Sequence, residues 1–394
     1  YSVDIDGDYA ICGALNEDPG GTSNAGSAYI YKRTGSNWEQ EAKIQASDKE
    51  ADDKFGRSVT ISGDYAAVGA DQEDTTASNA GSVYIFKKGS GDFNTTTQPG
   101  LGSISGSTQF NADTFALVPS KSTSTKLHYE PWTDATTHAI TVTKSGSNYV
   151  INVNDTGATE NPANVSAPGG SAASTATVSA GDTVTVYDSN GNSGTFTMPT
   201  LNGPGWSQQT KIQASDAEAD DSFGGGAGQG VSLSGDYLAV GARQEDTSGS
   251  QAGSVYIFKK DDGAETWTQQ AKLQASDVSA NSQFGMSVSL SGDVLAVGAN
   301  AEDTAASDAG AAYIFERSGT TWTELKKITA SDAQASDYFG ESISTDGTTT
   351  FVGAWGEDTK GSGAGAAYVF EKAPAVVPTL TFDGYNKLTI DNVQ

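Results

Sequence analysis

Phe284-Gly-Met-Ser-Val-Ser-Leu-Ser-Gly-Asp-Val-Leu-Ala-Val-Gly-Ala299 decides the fold, because the chain repeats it. The same words run from Phe55 to Ala70, from Phe223 to Ala242 with four extra residues, and from Phe339 to Ala354. A fifth copy, without its opening Phe-Gly, runs from Tyr1 to Ala14. Each copy continues through Glu-Asp and Ala-Gly to an aromatic word such as Ser254-Val-Tyr-Ile-Phe258. Most then add a Trp and a Lys-Ile/Leu-x-Ala-Ser-Asp ending. Self-similarity at a period of roughly 50 residues marks a repeat architecture.

Within a unit, Ser287 to Ser291 alternates small polar residues with Val288 and Leu290, the period of a half-buried strand. Gly292-Asp293 suits a tight hairpin. Val294 to Ala299 is nearly all apolar, as a strand buried on both faces must be. A polar loop leads to the aromatic word Ala311 to Phe315, and a second turn at Ser318-Gly319 precedes Trp322 to Ile328. Four short strands joined by such short turns form an antiparallel meander. One such sheet cannot bury both its faces, whereas several stacked around an axis can. The sequence therefore predicts an all-β protein, a β-propeller of four-stranded blades.

The recurring Phe-Gly-x-Ser-Val, Ser-Gly-Asp and Ala-Gly-Ser-Val-Tyr-Ile-Phe words resemble the FG-GAP repeat family, whose best-known members form the propeller of integrin α subunits. The variant here resembles that of bacterial, protist and viral surface proteins. The likeness covers about 280 of the 394 residues. Five Gly-Ala words are visible, at Gly13, Gly69, Gly241, Gly298 and Gly353. The best-known relatives close with seven blades, so closure with five and two units outside this sequence both stand.

The repeat defines the domains. Residues 1–90 supply the first blade and most of the second. Residues 91–204 lack every repeat word and hold both histidines, His128 and His138. Their alternating runs and Gly-rich turns predict a small β-sandwich inserted between the third and fourth strands of blade 2. Residues 205–372 complete blades 2 to 5. Residues 373–394 are a Pro-rich link with two strand-like runs, Thr379 to Phe382 and Lys387 to Ile390; either could edge blade 5, both could begin another module, or Leu380 to Ile390 could pair with a neighbour's sheet.

A net charge of −27 argues against nucleic acid and anionic membranes as partners. No run of 18 apolar residues is present, so no membrane insertion is expected. Cys12 stands where other units carry Val68, Val240 and Val297 and reads as a buried hydrophobe. Trp38, Trp206, Trp267 and Trp322 share one repeat position and read as blade packing.

The meander sends the loops between strands 2 and 3, and those between successive blades, to one face. Acids outnumber bases several-fold in these loops. Glu73, Asp74, Glu245, Asp246, Glu302 and Asp303 are therefore candidate Ca²⁺ ligands. Turn capping by the same Asp and Ser side chains explains the words without a metal and is the preferred reading. Integrin-type calcium loops resemble D-x-D-x-D-G-x-x-D in the first hairpin, which here is only Ser-Gly-Asp. Asp4, Asp6 and Asp8 come nearest to that pattern.

His128, Tyr129 and Trp132 in the insert, and Trp355 after a Gly-Ala word, are candidate ligand-binding residues. Asn94, Asn154 and Asn164 head glycosylation sequons. Gly224 to Gly230 lacks the Lys and helix of a phosphate loop and reads as a widened inter-blade loop. No motif rises to a catalytic centre. The expectation is a non-catalytic extracellular or virion-surface scaffold, with a protein or glycan partner on a cell or virion surface. A structural subunit of a fibre or capsid decoration and a secreted carbohydrate-active enzyme are the alternatives.

Overall fold

A computed structural model of the chain describes residues 1–89, 206–226, 228–261, 263 and 266–372. It also describes shorter stretches between 101 and 198, together with 379–382 and 388–391. Two compact units emerge. One comprises Tyr1–Trp38, Lys43–Phe86 and Gln208–Gln394, and the other Glu39–Ala42 and Lys87–Ser207.

The first unit carries the blades. Blade 1 is Val3–Asp6, Tyr9–Ala14, Ser27–Thr34 and Asn37–Ile44, hydrogen-bonded in chain order. Blade 2 is Ser58–Ser62, Tyr65–Ala70, Ser82–Lys88 and Trp206–Ile212, so its fourth strand arrives after the insert. Blade 3 is Val231–Ser234, Tyr237–Ala242, Ser254–Lys260 and Trp267–Leu273. Blade 4 is Ser287–Ser291, Val294–Ala299, Ala311–Ser318 and Thr321–Ile328. Blade 5 has three strands, Phe339–Thr345, Thr349–Ala354 and Ala366–Glu371. Thr379–Phe382 does not edge it, because that strand pairs with Leu388–Asp391 in a sheet of their own. The first three strands of blades 1, 3, 4 and 5 pair antiparallel in succession, as in β-propellers.

The family words are points of blade-to-blade approach. A Cβ on Gly241 would overlap the carbonyl oxygen of Gly285 in the next Phe-Gly, and Gly13, Gly69 and Gly298 stand in the same relation to their own next blades. The N–H of Phe284 donates to Ala252 O of the preceding Ala-Gly word at 3.0 Å. Its ring, fully buried, packs edge-on against Tyr313 and Phe315 of its own blade at 5.4 and 6.0 Å. Phe-Gly thus fastens its backbone to one blade and its side chain to the next.

Inner strands of neighbouring blades do not pair as a ladder. Side-chain oxygens of one accept from backbone N–H groups of the following one instead. Ile61 donates to Asp4 at 2.8 Å, Gly63 to Asp6 at 2.7 Å, Leu233 to Thr60 at 3.1 Å, Leu290 to Ser232 at 2.9 Å and Thr345 to Ser289 at 3.0 Å. This is why the first strand alternates polar with apolar: the polar set satisfies the neighbour's orphan donors.

Two packing expectations are corrected. Trp267 and Trp322 are buried against Tyr65 and Tyr237 of the preceding blades. Trp38, with no such tyrosine before it, is 41% exposed and lies under Arg33. Cys12 is half-buried for the same reason, since that face of blade 1 has no described neighbour.

The second unit holds a β-sandwich. A six-stranded sheet runs Thr175–Val178, Asn148–Asp155, His138–Ser145, Lys126–Pro131, Thr114–Leu117, Gly102–Ser103. A three-stranded sheet runs Asn164–Ser166, Thr183–Tyr187, Ser193–Thr197. Leu127, Tyr129, Ile140 and Ile151 of the first sheet share a core with Val184, Val186 and Phe196 of the second.

Candidate functional site

The acidic words resolve into structural locks. Glu73, Glu245 and Glu302 are buried, and each is paired with the lysine of its own fourth strand. Lys211 meets Glu73 at 2.7 Å, Lys272 meets Glu245 at 2.8 Å, and Lys327 meets Glu302 at 3.0 Å. Each lysine also reaches the Ala-Ser-Asp carboxylate of the preceding blade: Asp48 at 2.9 Å, Asp216 at 2.7 Å, Asp277 at 2.6 Å. A tyrosine ring lies beneath each ammonium. Burial alone would raise Glu73 and Glu245; the hydrogen bonds from lysine, serine and threonine outweigh it and hold both below the usual carboxylate range.

The partner aspartates close loops. Asp74 accepts from Asn79 N at 2.7 Å, Asp246 from Gln251 N at 2.6 Å, and Asp303 from Asp308 N at 2.8 Å. Asp74, Asp246 and Asp303 thus cap their own loops. Asp4 and Asp6 serve blade 2, while Asp8 pairs with Arg33 at 2.8 Å. Among the described residues no group of three His, Cys, Asp or Glu is placed to hold a metal.

The junctions into blades 2, 3 and 5 bury one further acid, Asp53, Asp221 and Asp337, where that into blade 4 has Ser282. Asp53 and Asp221 accept from Glu50 N and Glu218 N at 2.6 and 2.7 Å. Burial, reinforced by nearby acids (Glu73, Glu50 and Asp48; Glu245, Glu218 and Asp216), pushes both up to about 6 against those bonds.

Charge of a different kind gathers at the hub, just after the Phe-Gly and Gly-Ala words, where the units differ: Arg57 and Glu341 in one position, Asp71, Arg243 and Asn300 in the other. Arg57 Nε lies 3.6 Å from Asp71 Oδ2, and Asn300 donates to Glu341 at 2.5 Å. Asp71 is 5% exposed, and burial raises its carboxyl despite Arg57 and Arg243. Burial likewise lowers the Arg243 guanidinium, while the Asp71 charge opposes that. Asp71 Oδ1 and Arg243 Nε are buried and have no hydrogen-bond partner among the described residues.

The four extra residues of blade 3 are more than a widened inter-blade loop; they peg the hub. Gly226 O accepts from Arg57 Nε at 3.1 Å and Gly228 O from Ser2 Oγ. Gln229 O accepts from Val288 N at 2.9 Å and its Oε1 from Ile343 N at 2.8 Å. One loop therefore ties blades 1, 2, 4 and 5, and the carbonyls of Gly226, Gly228 and Gln229 accept from protein donors.

A cavity of about 620 Å³ opens beside the peg, over blades 1 to 3. Lys54, Arg57, Asp71, Asp220 and Arg243 line it, with the amides of Asn16, Gln72, Asn79, Gln244 and Gln251 and the ring of Tyr1. Only the variation after the repeat words could have pointed to these residues, and sequence reading followed it only to Trp355. That side chain is 58% exposed, stacked on Tyr338 at 5.0 Å, and is not among the residues lining the cavity.

In the insert Tyr129 is wholly buried in the sandwich core, which corrects its assignment as a ligand contact: Leu127 and Tyr129 point inward from one strand. His128 lies on the same strand, with its backbone opposite Thr141. Trp132 and Asn94 fall outside the described residues, and Asn154 and Asn164 lie on strands.

The fold and its junctions define a repeat-built β-propeller. The chain belongs to the FG-GAP repeat family, whose pattern matches residues 1–31, 38–86, 206–258, 267–315 and 322–370. No curated protein matches it. Among solved structures it is similar to a candidate 6-phosphogluconolactonase of Bacteroides uniformis, at 11% identity over 82% of this chain and 83% of that one, with a TM-score of 0.25. It is also similar to the periplasmic gluconolactonase of Pseudomonas aeruginosa, at 12% identity over 84% and 86%, with a TM-score of 0.24. Likeness at this level carries no functional inference.

Proposed function

We propose that this protein is a non-catalytic recognition scaffold of an extracellular or virion surface, with a glycan or protein partner. The observation that supports it is the division of charge. Charges that recur from blade to blade are spent on junctions, while charges that differ between units converge on the hub cavity and leave Arg243 Nε and Asp71 Oδ1 without a partner among the described residues. Rigid junctions around a pre-formed polar cavity suit recognition, because little ordering entropy remains to be lost on binding. The test is capture of the full chain on glycan and cell-surface arrays, with turnover of every captured ligand followed in parallel. Capture without turnover is expected; steady turnover abolished by hub substitutions would overturn this reading in favour of a secreted carbohydrate-active enzyme.

A further inference from the structure

We infer that the hub cavity is a binding site for a carboxylated sugar, with Arg243 and Arg57 taking the carboxylate and Asp71 a hydroxyl. The inference rests on the recognition reading and names the ligand class of that site.

The unsatisfied atoms set the chemistry. Arg243 Nε is a buried donor without an acceptor, and a charged acceptor gives a guanidinium its strongest hydrogen bond. Asp71 Oδ1 is a buried acceptor without a donor, while its Oδ2 faces Arg57. Leaving such groups bare is costly, so a ligand that supplies both partners gains what the fold has forgone. A molecule with an anionic acceptor next to a hydroxyl donor fits, and 620 Å³ admits one or two sugar rings.

The rest of the lining favours a polyhydroxylated ligand over an acidic peptide. Asn16 Oδ1 is held by Lys54, Asn79 Nδ2 by Asp220 and Gln244 Oε1 by Ser222, so one polar atom of each amide is fixed in place. Planar amides offer donors and acceptors side by side, the pattern adjacent sugar hydroxyls require. Lys54, Arg57 and Arg243 bring three cationic side chains to the lining on a chain of net charge −27, with Asp71 and Asp220 beside them and Asp52 3.8 Å from Lys54.

Titration calorimetry of the full chain with trigalacturonate tests this, using its methyl ester as the uncharged counterpart. Trigalacturonate should bind, and the ester about tenfold or more weaker. Arg243→Gln and Asp71→Asn should each weaken trigalacturonate binding about tenfold or more while the Tm is held, and Arg243→Lys should restore part of it. Equal binding of ester and acid, no binding at millimolar acid, or tighter Arg243-dependent binding of triglutamate would each overturn the inference. Surface capture that survives Arg243→Gln overturns it while leaving the scaffold standing. Turnover of a bound uronate would instead sink the scaffold reading and keep the ligand class.

Discussion

The blade junctions and the hub are built from the same residue types and treat them oppositely. At a junction, Lys272 bridges Glu245 and Asp216 within 2.8 Å, and the same arrangement recurs as Lys211 and Lys327. At the hub, Arg57, Asp71, Arg243 and Glu341 have no counterparts in their sister units, and two of their buried atoms lack partners. The difference teaches that a repeated charge in this chain is structural. A unit cannot stand alone, so every junction demands the same satisfied contacts, whereas a site needed once carries no such constraint.

The comparison breaks most severely at Gly241. A side chain there meets the Gly285 carbonyl, which is backbone and cannot rotate away, so Gly241→Ala should abolish cooperative unfolding and leave the chain open to proteolysis. A folded variant with an unchanged melt would show that the blades are less closely apposed than described.

Next in size is Lys272→Met. It strands the buried Glu245 carboxylate and should cost about 3 kcal/mol, a Tm fall on the order of 10 °C by thermal melt. A shift within 2 °C, about what an exposed ion pair is worth, would remove the locks as a stabilising device.

Asp221→Asn should act in the opposite direction. The folded state raises this carboxyl to about 6 from 3.8, so its ionisation weakens the fold as pH rises through that interval. The variant keeps an acceptor for Glu218 N and should melt roughly 3–6 °C higher at pH 8, a gain that vanishes near pH 4. A gain independent of pH would contradict the assignment to charge.

Blade 4 offers a smaller repair. Ser82 and Ser254 donate to Glu73 and Glu245 at 2.6 and 2.7 Å, but blade 4 has Ala311 there, and Glu302 Oε2 is unpartnered. Ala311→Ser should stabilise by about 1 kcal/mol in denaturant melts. A loss of stability would mean the buried site has no room for the hydroxyl.

The smallest expected effect is that of calcium. Because the loop carboxylates are taken up by lysines and backbone donors, millimolar Ca²⁺ or chelator should move the Tm by less than about 1 °C. A rise of several degrees with Ca²⁺ would restore the cation reading of Glu73, Glu245 and Glu302.

By itself the sequence determined the strands, their meander, the stacking of units and the insert's separate β character. Those follow from period-2 patterning, turn residues and the repeat, all local properties written several times over. It also held the capping role of Asp74, Asp246 and Asp303, because that bond closes within five residues. Tertiary structure alone decided which acids meet which lysines, since Lys211 stands 138 and 163 residues from its partners, with the insert lying between. It decided that Trp38 is open while its sister Trp267 is buried, because that difference lies in the neighbouring blade and not in the unit. It alone assembled the hub, where Asp71 and Arg243 carry no motif of their own. Residues that vary between repeats gain meaning only when the units pack side by side and bring the same position of each to one place.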